Sequence, residues 1–135
     1  MRVYIAGRYS RRDEFRKVAD VLRARGTVVT SRWLEETAAL DGIITKIEPD
    51  KLAAIAHVDM DDIDAADAVL FFAEDPLVGT PRGGRHVEFG YALARGKFIN
   101  VIGPRENVFH YSGGMIEHFT SFEDYLAKWT TEVTF

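Results

Sequence analysis

Glu88 is the acid in this chain whose surroundings invite a chemical reading. It follows Gly83-Gly84 and Arg85, at the start of a stretch with helical spacing. Two glycines let backbone pass close to a ligand, and the helix start presents unbonded N–H groups at its positive end. Arg82 and Arg85 add formal charge at the same place. We expect Glu88 in the first turn of that helix, where the dipole favours an ionised carboxylate. Such a carboxylate beside a bound sugar can attack an anomeric carbon or stabilise the charge developing there. A first-turn glutamate can equally do no more than complement the dipole, and local sequence leaves both readings open.

Two other segments share the same character. One is Gly7-Arg8-Tyr9-Ser10-Arg11-Arg12 and the other Gly103-Pro104-Arg105-Glu106-Asn107. Each follows an apolar run, so three loops rich in Gly and Arg gather on one rim. Arginine binds phosphate through two parallel hydrogen bonds, which favours a phosphorylated ligand held by Gly7, Arg8, Ser10, Arg11, Arg82, Gly83, Gly84 and Arg85. The alternative is that these arginines pair with Glu74 or Asp75 and only close the loops. Trp33, Tyr9 and Phe72 could stack on a base or could be ordinary core. The acids Asp59, Asp61, Asp62, Asp64 and Asp67 crowd one stretch without the glycine and terminal glutamate of a calcium loop, and no metal is assigned to them. The four histidines form no ligand-spaced pair. There is no Gly-x-Ser-x-Gly elbow and no Walker loop.

These residues need a frame that brings strand ends together. Val3-Tyr4-Ile5-Ala6 reads as a buried strand, followed by a helix from Ser10 with Phe15, Val18, Ala19 and Leu22 on one face. Ser10, three residues before Asp13, has the spacing of a capping box. Thr27 to Ser31 reads as a second strand. Leu34 to Pro49 reads as a long loop or broken helix. From Asp50 a helix carries Leu52, Ile55, Ala56, Met60 and Ile63. Ala68-Val69-Leu70-Phe71-Phe72-Ala73 is apolar without alternation, as expected of a strand buried on both faces. A helix over about His86 to Arg95, a strand at Phe98 to Ile102 and a final helix capped by Ser121 complete the chain. Strand and helix alternate throughout, with connections too long for hairpins. The implied fold is α/β: a single domain over residues 1–135, doubly wound and flavodoxin- or Rossmann-like, with four to five parallel strands and helices on both faces.

Composition narrows the function. The chain has 135 residues, no cysteine and a net charge of −4, so thiolate chemistry is excluded and a long polyanion lacks its basic footprint. No apolar stretch approaches the ~18 residues of a membrane span, and the first apolar run is too short for a secretion signal. We therefore expect a cytoplasmic protein acting on a small molecule, with no nucleic-acid polymer and no membrane as partner.

Four segments together resemble the nucleoside 2-deoxyribosyltransferase superfamily, which includes the 2'-deoxynucleoside 5'-phosphate N-hydrolases. They are Val3-Tyr4-Ile5-Ala6-Gly7, Asp59 with Ala66-Asp67-Ala68-Val69, Gly84 to Ala94 running on to Gly96-Lys97, and Arg105-Glu106-Asn107-Val108-Phe109. The resemblance implies cleavage or transfer at the N-glycosidic bond of a 2'-deoxynucleoside or its 5'-monophosphate. It makes Glu88 the nucleophile, Tyr4 the phenol that positions it, and Asp59 the general acid to the departing base or a sugar ligand. It implies no metal or organic cofactor. It also implies a homo-oligomer, a dimer or larger, in which Asn107 is the candidate donated to a neighbouring site. The family's hydrolases hold the phosphate with serines and one arginine; here Arg8, Ser10 and Arg11 come in a different order, and Thr80, Arg82 and Arg85 stand where small residues are usual. A non-catalytic nucleotide-binding module on the same fold is the competing expectation.

Overall fold

The apolar run from Ala68 to Phe72 forms the middle strand of a five-stranded, wholly parallel sheet. In this computed structural model, which describes residues 1–35, 47–77 and 83–133, the strands are β1 (Arg2–Ala6), β2 (Val28–Val29), β3 (Ala68–Phe72), β4 (Phe98–Ile102) and β5 (Ile116–Phe119). Their order is β2-β1-β3-β4-β5. The helices are α1 (Arg12–Ala24), α2 (Pro49–Asp64), α3 (Gly84–Ala94) and α4 (Phe122–Val133). The expected doubly wound α/β fold is the one observed.

Strand parity assigns the two faces. Phe71 packs against Phe89 of α3 with ring centroids 5.4 Å apart, while Phe72 packs against Phe15 of α1 at 4.7 Å and Phe122 of α4 at 6.1 Å. Successive side chains of a strand point to opposite faces, so α3 covers one side and α1 with α4 the other. The hydroxyl of Tyr91 on α3 donates to Asp64 of α2 at 2.7 Å, which ties α2 to the α3 side. Tyr4 pairs in register with Val69 and Ala6 with Phe71. Tyr4 therefore points to the α2–α3 side, and Ile5 to the α1 side. All five residues of β3 are buried, as its unbroken apolar sequence requires.

Some boundaries differ from expectation, each for a local reason. β2 spans only Val28–Val29 rather than Thr27 to Ser31. The Ser31 hydroxyl accepts from Ile5 N at 3.1 Å, and Thr30 Oγ1 donates to Asp62 O at 2.8 Å, so side chains take over where the ladder would continue. Ser10 does not cap α1: it lies in a short 3-10 turn, Tyr9–Arg11, closed by Arg11 N on Arg8 O at 2.9 Å. α3 begins at Gly84, two residues earlier than expected, because Gly83 at φ +85° makes the entry turn. β5 is a strand that the sequence did not mark. Of the α2 face, Ile63 is buried while Leu52, Ile55 and Met60 are half-buried and Ala56 is exposed. Ser121 does cap α4, accepting from Asp124 N at 3.1 Å. Most of the Leu34 to Pro49 segment lies outside the described residues; Pro49 itself is the first residue of α2.

Phe71 is fully buried and meets the rings of Phe89, His86 and His110. Phe71→Ala should cost about 3–5 kcal/mol of stability, the usual range for a buried aromatic. Urea denaturation of parent and variant measures it, and a loss below about 1 kcal/mol would contradict this packing.

Candidate active site

In a sheet of this order the chain leaves β1 and β3 toward opposite faces, and the crevice between their carboxyl ends is where ligands bind. Three of the expected residues meet beside it. Tyr4 comes from β1, and its hydroxyl donates a hydrogen bond to Glu88 Oε2 of α3. Asp59, on α2, is close enough for its charge to act on both Tyr4 and Glu88.

The local electrostatics depart from the sequence reading in one respect. Glu88 was expected in the first turn of its helix, kept ionised by the dipole. Because α3 starts at Gly84, Glu88 falls in the second turn, where the dipole has little hold. Removal of its carboxyl from water dominates instead and pushes its pKa up to about 8; the Tyr4 hydrogen bond opposes this rise, and the charge of Asp59 adds to it. Burial, with help from Glu88 and Asp59, also holds the Tyr4 phenol well above its usual range. Tyr4 is therefore a permanent donor, and its bond favours the ionised form of Glu88.

The rim loops distribute their arginines among carboxylates. Arg8 lies 3.8 Å from Glu74, and Arg11 pairs with Glu74 and, at 2.6 Å, with Glu14. The Arg11 guanidinium also sits over Phe15, 4.9 Å from the ring centroid. Both arginines keep about a third of their side-chain surface in water. Arg85 differs. Its side chain is 3% exposed and ion-paired with Glu106, itself 8% exposed, so it faces the interior. Ser10 is exposed, and Gly7 ends β1. A Cβ on Gly7 would lie 2.4 Å from the buried Phe15 ring, so only glycine lets the first loop leave here. Gly83 and Gly84 form the entry to α3, and among the described residues a Cβ on either would meet nothing within 4 Å. Asn107 accepts from Phe109 N at 3.0 Å, capping the turn Val108–Tyr111, and its amide lies 3.5 Å from His86 Nδ1. Arg82 and Thr80 lie outside the described residues.

Of the stacking candidates, Trp33 and Phe72 are core: Trp33 donates Nε1–H to Ile5 O at 2.8 Å, and Phe72 is 3% exposed. Tyr9 is half-buried, with Arg12 over its ring at 4.6 Å. Several of the clustered acids serve the fold: Asp62 accepts from Arg32 N at 2.9 Å, Asp64 meets Arg95 at 3.3 Å, and Asp67 accepts from Arg2 N at 2.9 Å. The sequence reading passed over Glu106. Charge counting could have found it, since arginines gathered on a rim need carboxylates at neighbouring strand ends, and Glu74 and Glu106 follow β3 and β4.

Fold and geometry together define a doubly wound α/β protein with a phenol and two carboxyls beside the topological switch point. Among solved structures, the chain is similar to the CMP N-glycosidase BcmB of Clostridium botulinum, with 20% identity and a TM-score of 0.58 over 97% of this chain and 99% of that one. No family model matches the sequence, and neither does any curated protein sequence.

A carboxyl whose pKa is raised on folding stabilises the fold while protonated. That contribution is complete below about 4.5 and is lost as pH rises through about 8. Glu88→Gln keeps the shape and cannot ionise. It should melt at a higher temperature than the parent above pH 8, with the difference vanishing below pH 4.5. Thermal denaturation between pH 4 and 9 decides this, and a gap independent of pH would refute the burial of this acid.

Proposed function

We propose that this chain breaks the N-glycosidic bond of a 2'-deoxynucleoside or, preferentially, a nucleoside 5'-monophosphate, with Glu88 as the nucleophile. The observation that carries this is the Tyr4–Glu88 hydrogen bond, made under the electrostatic influence of Asp59. The fold shared with a CMP N-glycosidase supports the reaction class, and the sequence resemblance supports the deoxy sugar.

In the step we assign, a Glu88 carboxylate oxygen bonds to C1' of the sugar as the bond from C1' to the base nitrogen breaks. The electron pair leaves with the base, which takes a proton from Asp59. The glycosyl ester on Glu88 is then opened by water, giving hydrolysis, or by a second base, giving transfer; Asp59 recovers its proton from the attacking group. Burial leaves Glu88 protonated up to about pH 8, so the reacting carboxylate forms by loss of that proton. Tyr4 biases it away from Glu88 by donating to the ionised form. We assign the 5'-phosphate to Arg8, Arg11 and the start of α3: both guanidiniums keep about a third of their side-chain surface in water, Arg8 3.8 Å from Glu74 and Arg11 between Glu74 and Glu14. Arg85, committed to Glu106, is not assigned to the phosphate.

The test is chromatography of free base after incubation with CMP, dCMP, other nucleotides and the corresponding nucleosides, with and without an acceptor base. Release should be lost in Glu88→Ala. It should rise as pH climbs through about 8, where Glu88 ionises to the attacking carboxylate. A folded protein that binds nucleotides but releases no base from any of them is a binding module, and the catalytic reading then fails. Replacing Arg8 and Arg11 together by Met should raise KM for nucleotides about tenfold or more, the scale of one or two charged hydrogen bonds, with nucleoside cleavage little changed. Steady-state kinetics on a matched nucleotide and nucleoside measures the difference.

A further inference from the structure

Glu106 occupies an unusual position for an acid: it is almost fully buried and bonds in three directions. One carboxylate oxygen pairs with Arg85, in the first turn of α3, and lies 3.8 Å from His86 Nε2. The other accepts from Glu74 N at 3.0 Å, in the loop that ends β3. Its own N–H donates to His110 Nδ1 at 3.0 Å, and the buried His110 ring packs 5.0 Å from Phe71 and 4.8 Å from Phe89. Glu74, whose backbone Glu106 holds, is in turn the carboxylate that receives Arg8 and Arg11 from the first loop.

We propose that Glu106 is a positioning residue for Glu88, fixing the first turn of α3 against the loops that end β3 and β4 so that the Glu88 carboxyl meets Tyr4. Glu88 lies three residues after Arg85, so the two project within one turn on neighbouring faces of the same helix. Arg85 Nε and Nη1 have no hydrogen-bond partner among the described residues. Glu106 is therefore the acid that balances and orients this buried guanidinium, and without it the cation would be driven toward water, turning the start of α3 with it. The proposal rests on the role given to Glu88 above, but the placement of Glu88 can be read without any substrate.

The experiment compares the full-length parent with Glu106→Gln and with the double variant Arg85→Met/Glu106→Gln, which removes the pair without stranding a charge and guards against a misfolded single variant. The first readout is the slowly exchanging hydroxyl proton of Tyr4 by NMR, assigned through Tyr4→Phe. It should be present in the parent and shifted or lost in both variants. The second is base release, where kcat should fall at least about tenfold with KM within about threefold, because small misplacements of a reacting group are costly while binding contacts persist. Folded variants that keep the parent's Tyr4 resonance overturn the proposal, as does a double variant with the parent's kcat. If the parent releases no base, the proposed reaction falls, while the Tyr4 resonance still decides whether Glu106 places Glu88.

Discussion

The hydrogen bond from Tyr4 to Glu88 joins a residue inside β1 to a residue on α3, and it depends on the whole arrangement between them. Tyr4 reaches α3 because β1 is internal to the sheet and its register beside β3 puts Tyr4, Val69, Ala6 and Phe71 on one side. Phe71 in turn seats α3 through Phe89. A slip of one residue in β1 would send Tyr4 toward α1 and leave a buried carboxyl without its donor. The bond also favours ionised Glu88 against burial and a neighbouring negative charge. Under the proposed function stability and reactivity are opposed at this residue, because the desolvation that disfavours an ionised Glu88 in the folded state would also make that carboxylate a stronger nucleophile.

Around that contact the rim separates its positive charges by depth. Arg8 and Arg11 are about a third exposed and share Glu74, with Arg11 also held by Glu14. Arg85 is withdrawn from solvent and holds Glu106. An exposed pair contributes little to stability and gives up its partner readily, whereas breaking a buried pair leaves an uncompensated charge. Three arginines that look alike in sequence thus divide into two kinds, open to solvent or committed to the frame. Burial of the guanidinium itself makes the distinction, since both partner carboxylates are largely withdrawn from water.

That distinction shows where sequence reading reaches its limit here. The middle strand was legible because Ala68 to Phe72 is apolar without interruption, and a run buried on both faces has no other pattern. The ends of helices were legible where a side chain caps them, as at Ser121. β2 was overestimated because Ser31 bonds β1 through its hydroxyl, a choice that composition does not reveal. β5 was missed because Glu117 and His118 sit on a half-exposed edge strand and break the apolar signal. Glu88 could be named from the pattern around it, and Tyr4 and Asp59 through the family resemblance; the structure gathers the three. The ionisation of Glu88 could not be read, because it depends on how much protein closes over the carboxyl.

The start of α3 decides what kind of acid Glu88 becomes. Had the helix begun at His86, Glu88 would lie in its first turn, where a glutamate folds back onto free N–H groups and remains charged as a cap. Gly83, in a left-handed conformation that other residues resist, starts the helix two residues sooner. That shift moves Glu88 about 200° around the helix axis from the position a start at His86 would assign it relative to the first turn. The carboxyl then has the Tyr4 phenol as its partner instead of the helix start. One glycine thus decides whether Glu88 caps its own helix or meets the phenol of β1.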